Sequence, residues 1–122
     1  MPDKRLLVCD DEADFAEFVR AVAEPLGYDV EIVTRSTRFS DAYERFRPTV
    51  VLLDMVMPEM DGTEIIRWLS ARGAAATRVI IATGFTPKYA EMARVIGEAS
   101  GLLRVSTIAK PVGLEALRGA LA

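Results

Sequence analysis

The chain has 122 residues and a net charge of -3, and 51% of it is hydrophobic, which fits one compact domain (residues 1–122) with a core covered on both faces of a sheet. Lys and Arg are scattered without a basic stripe, which argues against direct nucleic-acid binding. No histidine is present, which removes the commonest general base and transition-metal ligand. The single cysteine excludes an internal disulfide and suits a reducing cytoplasm, and no apolar run approaches the ~18 residues of a membrane span.

Short apolar runs read as buried strands, and the segments between them have helical spacing. The first strand, 6–9 (LLVC), runs into Asp10, Asp11 and Glu12, and Cys9 within it reads as a buried, inert thiol. Phe15, Phe18, Val19, Val22 and Leu26 share one helix face, and Pro25 and Gly27 stop that helix. The second strand is 30–33. Ser36 or Thr37 is the expected N-cap of a second helix with the stripe Phe39, Ala42, Tyr43 and Phe46, ended by Pro48. The third strand, 50–53 (VVLL), delivers Asp54. The loop 55–62 follows; Asp61 is placed to cap a third helix with the stripe Ile65, Ile66 and Leu69, ended by Gly73. Strand 79–82 runs into Thr83 and Gly84. Pro87 opens a fourth helix with Tyr89, Met92, Ala93 and Ile96 on one face. Strand 105–108 runs through Ala109 into Lys110 and Pro111, and Leu114, Leu117 and Leu121 make a fifth helical stripe.

The alternation predicts an α/β fold: a doubly wound (βα)5 domain with a five-stranded parallel sheet in the flavodoxin-like order 2-1-3-4-5. Such sheets bind ligands at the carboxyl ends of their strands. Asp10, Asp11, Asp54, Thr83 and Lys110 would all reach that edge. Strands one and three are neighbours in this order, so the three acids would lie within several Å of each other. Clustered carboxylates repel unless a cation compensates, and Mg²⁺ suits oxygen ligands and phosphate oxygens. The competing reading is N-capping and dipole compensation by the acids at the start of the first helix. It accounts for one or two of the acids at residues 10–12 but not for Asp54. Lys110 can neutralise the acids and hold a phosphoryl oxygen as a point charge, and the Thr83 hydroxyl can hydrogen-bond near Asp54.

The acid pair Asp10 and Asp11, the stretch Asp54, Met55, Val56, Met57 and Pro58 with Gly62, the Thr83–Gly84 step and Lys110–Pro111 together resemble the receiver domain of two-component response regulators. The resemblance covers essentially the whole chain. It implies a bacterial, cytoplasmic phosphoprotein of a phosphorelay, with Asp54 accepting a phosphoryl group from a sensor histidine kinase. It further implies that Asp11 and Asp54 bind Mg²⁺ directly with the backbone carbonyl of Val56, Asp10 through a metal-bound water. Thr83 and Lys110 would hold the phosphoryl oxygens, and Lys110–Pro111 would be a cis peptide. The implied output face is the fourth helix, fifth strand and fifth helix, acting on a fused domain, a partner protein or a second copy in a homodimer. Relatives usually carry Tyr or Phe three residues before the lysine, where this chain has Thr107. The segment 101–110 is similar to receivers joined to EAL-type cyclic-di-GMP phosphodiesterase domains.

Three other readings compete. A haloacid-dehalogenase-type phosphatase also uses a strand-end Asp with Mg²⁺, but it needs a second Asp where this chain has Val56. A receiver-like binding module that never takes phosphate would not need all five polar residues. A flavodoxin-like cofactor domain would need a Gly-rich loop where Asp10, Asp11 and Glu12 stand. In the receiver reading the positions flanking the phosphoryl group, Val56 and Phe85, are apolar and cannot orient water, which implies slow self-dephosphorylation.

Overall fold

The computed structural model describes residues 4–54, 57, 62–72, 77–84, 95 and 104–122. Its strands are β1 (Arg5–Cys9), β2 (Asp29–Val33), β3 (Val50–Asp54), β4 (Arg78–Thr83) and β5 (Val105–Ala109). Its helices are α1 (Ala13–Ala23), α2 (Phe39–Phe46), α3 (Gly62–Ala71) and α4 (Leu114–Leu121). The strands form one five-stranded parallel sheet in the order β2-β1-β3-β4-β5, as the alternation predicts. Of the predicted helix between β4 and β5, residue 95 is described and is helical, while its stripe Tyr89, Met92, Ala93 and Ile96 falls outside the described residues, as does Asp61.

Alternate residues of each strand serve opposite faces. Leu7, Cys9, Val51, Leu53, Val79 and Ile81 pack with Phe39, Ala42, Ile65, Ile66 and Leu69 of α2 and α3. Leu6, Val8, Val50, Leu52, Ile80 and Ala82 pack with Ala16, Val19 and Val22 of α1 and with Leu117 and Leu121 of α4. Both sides of the central strands are therefore covered. This is why β3 is buried at every position and reads as an unbroken apolar run.

The turns follow local chemistry. After α1 the chain tightens into a 3-10 turn, Glu24–Leu26, around Pro25; Gly27 then reverses it at φ 95°, where only glycine is unstrained. α2 ends at Arg47, a non-glycine residue in the left-handed region at φ 51°, directly before Pro48. The expected N-cap role of Ser36 or Thr37 is not what the structure shows. Ser36 opens a 3-10 turn, Ser36–Arg38, and neither that turn nor α2 has a side-chain cap. The extra turn moves the start of α2 past both hydroxyls. Leu114 also departs from its predicted stripe and is 43% exposed, while Leu117 and Leu121 are buried.

Candidate functional site

Register assembles the site. Cys9 pairs with Leu53 and Asp54 with Ala82, so Asp10 and Asp54 leave adjacent strands at the same edge. Thr83 pairs with Ala109, which brings the end of β5, and Lys110 just after it, to that edge. Asp10, Asp11 and Asp54 offer carboxylate oxygens within 4.8 Å of one another. Asp10 and Asp54 are buried and Asp11 is exposed, so two carboxylates lie inside and a third at the mouth. Asp10, Asp11, Asp54 and Lys110 are thus brought together among the described residues. Thr83 is placed by its backbone at the end of β4; its side chain, Val56 and Phe85 lie outside the described residues.

Lys110 is the counter-charge. Its Nζ donates to Asp10 Oδ2 at 2.7 Å and to Glu12 Oε1 at 3.2 Å, and lies 3.7 Å from Asp54 Oδ2. It also sits 4.5 Å from the centre of the Phe15 ring, a cation–π contact. Burial pulls the Lys110 pKa down, but the hydrogen bond and charge of Asp10, then Asp54 and Glu12, outweigh it and hold the pKa above the ordinary lysine value. Burial pushes the Asp10 carboxyl above the ordinary range, partly offset by Lys110 and by the backbone N–H of Glu12. That N–H donates to Asp10 Oδ1 at 2.9 Å, so Asp10 is fixed on both oxygens.

The side-chain cap that the competing reading expects at the start of α1 is not made. Glu12 occupies the N-cap of α1 without a side-chain cap bond, and its carboxylate turns to Lys110 instead. Glu12 and Phe15 are contacts that spacing did not single out. Glu12 stood in the acidic run, but its pairing with a residue 98 positions away needs the strand order to be seen. The Lys110–Pro111 peptide is cis, as the resemblance implies. Gly84 packs against this segment so closely that a Cβ there would stand 3.2 Å from Lys110 Cβ.

A cleft of about 760 Å³ opens over these groups, lined by Asp11, Glu12, Asp14, Phe15, Phe18, Asp54, Gly84, Lys110, Pro111 and Val112. Beneath it Cys9 is fully buried, donating to Met57 Sδ at 3.7 Å. Burial, with the charges of Asp10, Asp54 and Asp11, pushes its thiol up to about 12, so it is no nucleophile at neutral pH.

A hard cation fits this donor set: three carboxylates of mixed burial, no sulfur among them, and an ammonium holding their repulsion in check. Among the described residues no helix is long and apolar enough to cross a membrane.

Residues 6–122 match the family model "Response regulator receiver domain". The chain is 37% identical over 68 residues to "DNA-binding response regulator MtrA" of Mycobacterium tuberculosis (strain ATCC 25618 / H37Rv), a match spanning 56% of this chain and 30% of MtrA. It is 28% identical over 130 aligned positions to "Transcriptional regulatory protein TrcR" of the same strain, spanning 93% of this chain and 51% of TrcR. The chain therefore spans about half or less of the length of these relatives. Among solved structures, a CheY-like receiver domain protein from Methanospirillum hungatei JF-1 superposes with a TM-score of 0.82 at 24% identity, over 98% of this chain and 90% of that one. A receiver domain protein from Clostridium thermocellum gives 0.80 at 25% identity, over 97% and 90%. Family, sheet order and strand-end acids agree: the chain belongs to the response regulator receiver domains, the signalling modules of two-component systems.

Proposed function

We propose that Asp54 is the phosphoacceptor of this receiver, and that residues 1–122 form a phosphoacceptor domain. The observation that carries this reading is the clustering of Asp10, Asp11 and Asp54 within 4.8 Å, with Lys110 between Asp10 and Asp54. A carboxylate is a weak nucleophile toward phosphorus, so the site must neutralise charge and align the donor. Asp54 forms the new P–O bond as the bond to the donor's leaving group breaks, and the leaving group departs with the electron pair. Lys110 neutralises charge on the transferred oxygens, and the Thr83 hydroxyl donates to one of them. Asp11, Asp54 and the Val56 carbonyl would hold Mg²⁺ directly, and Asp10 through a water. When bound, that ion neutralises the carboxylates and the phosphoryl oxygens together.

Response regulators receive their phosphoryl group from sensor histidine kinases, and such a kinase in the cytoplasm is the donor proposed here. MtrA is by its name DNA-binding. This chain carries no basic stripe, so its output is assigned to a fused domain, a partner protein or a second copy, through the segment after β4, β5 and α4. Its only chemistry would be its own phosphorylation and dephosphorylation. The narrower likeness to EAL-linked receivers rests on sequence alone. The test is incubation with a small phosphodonor and Mg²⁺, which should add one base-labile phosphoryl group. Asp54→Asn should abolish it, and undiminished labelling of that variant would overturn the assignment.

A further inference from the structure

Register gathers a second group of side chains at the amino ends of the strands, the edge opposite the acids. Lys4 precedes β1, Tyr28 precedes β2, Arg78 opens β4 and Arg104 precedes β5. Backbone hydrogen bonds tie these entries together: the N–H of Asp29 donates to Lys4 O, that of Arg78 to Thr49 O and that of Val79 to Arg104 O. Side chains alternate along a strand, so Lys4, Tyr28, Arg78 and Arg104 share the face that α1 and α4 cover. With Thr49 and the end of α4 they line a cavity of about 390 Å³.

The cavity is basic. Lys4, Arg78 and Arg104 line it and, among the described residues, no Asp or Glu side chain does, in a chain whose net charge is -3. Elsewhere Arg20 is committed to Glu17, Arg45 to Glu31, Arg118 to Glu115 and Lys110 to Asp10. Among the described residues Lys4, Arg78 and Arg104 form no ion pair, either with an acidic side chain or with the carboxylate of Ala122. Neutral partners hold two of them in place. Lys4 Nζ donates to Leu26 O at 2.9 Å and sits 5.3 Å from the centre of the Tyr28 ring, and Arg78 donates to Tyr28 Oη at 3.3 Å. The simplest explanation is that the cations offset the helical turns ending at Leu26 and Leu121. Each such end carries roughly half a negative charge, so together they balance about one cation. The Ala122 carboxylate offsets at most a second, and a positive charge is left over.

Two guanidinium forks and an ammonium arriving from three strands suit a tetrahedral oxyanion, which accepts hydrogen bonds from several directions. They suit a planar carboxylate less well, because its lone pairs lie in one plane. At about 30 Å³ per water, the cavity has room for more than a single phosphate. Tyr28 is buried with Lys4 over its ring, so it leaves no open face on which a nucleotide base could stack.

We propose that this basic cavity at the amino edge of the sheet binds a small condensed phosphate, held by Lys4, Arg78 and Arg104 through its phosphates alone. It lies across the sheet from Asp54 and stands whether or not Asp54 takes a phosphoryl group. Calorimetric titration of the 122-residue chain with pyrophosphate, in chelator so that no metal draws the anion to the acids, should give saturable binding. Bound pyrophosphate should also raise the unfolding temperature by mass action. Arg104→Gln alters an exposed side chain and should weaken binding about ten-fold, the worth of one charge-assisted hydrogen bond. Arg45→Gln, which removes a cation of α2 on the other face of the sheet, should leave the affinity unchanged. ADP should bind no more tightly than pyrophosphate, and citrate at equal ionic strength should bind more weakly than either. Equal pyrophosphate affinities for the parent and Arg104→Gln, an equal loss in Arg45→Gln, or equal binding of citrate would overturn the proposal. Binding of ADP without binding of pyrophosphate would do so too, by showing that the contacts lie with the nucleoside.

Discussion

Lys110 Nζ is hydrogen-bonded to Asp10 at 2.7 Å, while Asp54 stands 3.7 Å away. The ammonium is thus committed to the buried acid and only near the proposed acceptor. Asp10 is wholly inaccessible, so Lys110 is what makes its charge tolerable. Removing one partner of a buried pair leaves an uncompensated charge and costs on the order of 3 kcal/mol. Lys110→Met should therefore lower the unfolding temperature by roughly 10 °C in chelator. Added Mg²⁺, which compensates the same carboxylates, should restore more stability to the variant than it adds to the parent. Thermal unfolding with and without the ion measures this, and equal gains in both proteins would show that the ion and Lys110 do not share these acids.

Glu12 competes for the same ammonium at 3.2 Å, but its side chain is 67% exposed. An exposed pair is worth at most about 1 kcal/mol, so Glu12→Gln should barely change stability. It should nonetheless release Lys110 toward Asp54 and speed phosphoryl uptake from a small donor by up to about five-fold. Salt screens an exposed pair, so the advantage should shrink as ionic strength rises, because the parent's own tether weakens. Rates of uptake across a salt series test this. A variant slower than the parent at every ionic strength would show that Glu12 helps rather than holds back Lys110.

The central strands were legible because both of their faces are buried. Residues 6–9, 50–53 and 79–82 form unbroken apolar runs, and the structure extends each by one or two residues, to Arg5, Asp54, Arg78 and Thr83. The clustering of Asp10, Asp11 and Asp54 was legible for the same reason: each ends or follows such a run, and strand order does the rest. Glu12 and Phe15 were not, because their meeting with Lys110 is a contact between elements far apart in sequence. The entry to α2 was misread because Ser36 and Thr37 have the chemistry of a cap, while the chain spends them on a 3-10 turn. Leu114 was misplaced because it opens its helix, where a helical stripe can lie beyond the edge of the core.

Gly84 tests how tightly the β4 end holds Lys110. A Cβ there would lie 3.2 Å from Lys110 Cβ and 3.4 Å from its carbonyl oxygen. These neighbours are backbone and the root of a side chain, which yield less than a side-chain tip. Gly84→Ala should cost about 1 kcal/mol through overpacking. Its larger effect should fall on phosphoryl uptake, since a displacement of a few tenths of an ångström moves Lys110 relative to Asp10 and Asp54. Comparing uptake rates with thermal stability separates the two. A variant with parental uptake would show that Lys110 is positioned by the acids alone.

Alkaline pH should expose the buried thiol. Cys9 has its pKa pushed from an ordinary 9.0 to about 12 by burial first, then by Asp10, Asp54 and Asp11. In the unfolded chain the thiol ionises from 9.0 upward, while in the folded chain it stays protonated until about 12. The unfolded state therefore binds fewer protons across that window, and stability falls as pH rises through it. The full difference corresponds to roughly 4 kcal/mol. Lys110 contributes in the same direction: its pKa is raised in the fold, so its stabilisation is complete below 10.5 and is lost as pH rises through the higher folded value. Cys9→Val removes the first contribution and keeps the second. Between pH 9.0 and 12 the gap in unfolding free energy between variant and parent should thus widen in favour of the variant, in chelator to keep metal from the acids. Denaturant unfolding at several pH values measures the gap, and a constant gap would show that the Cys9 thiol is as free to ionise in the fold as out of it.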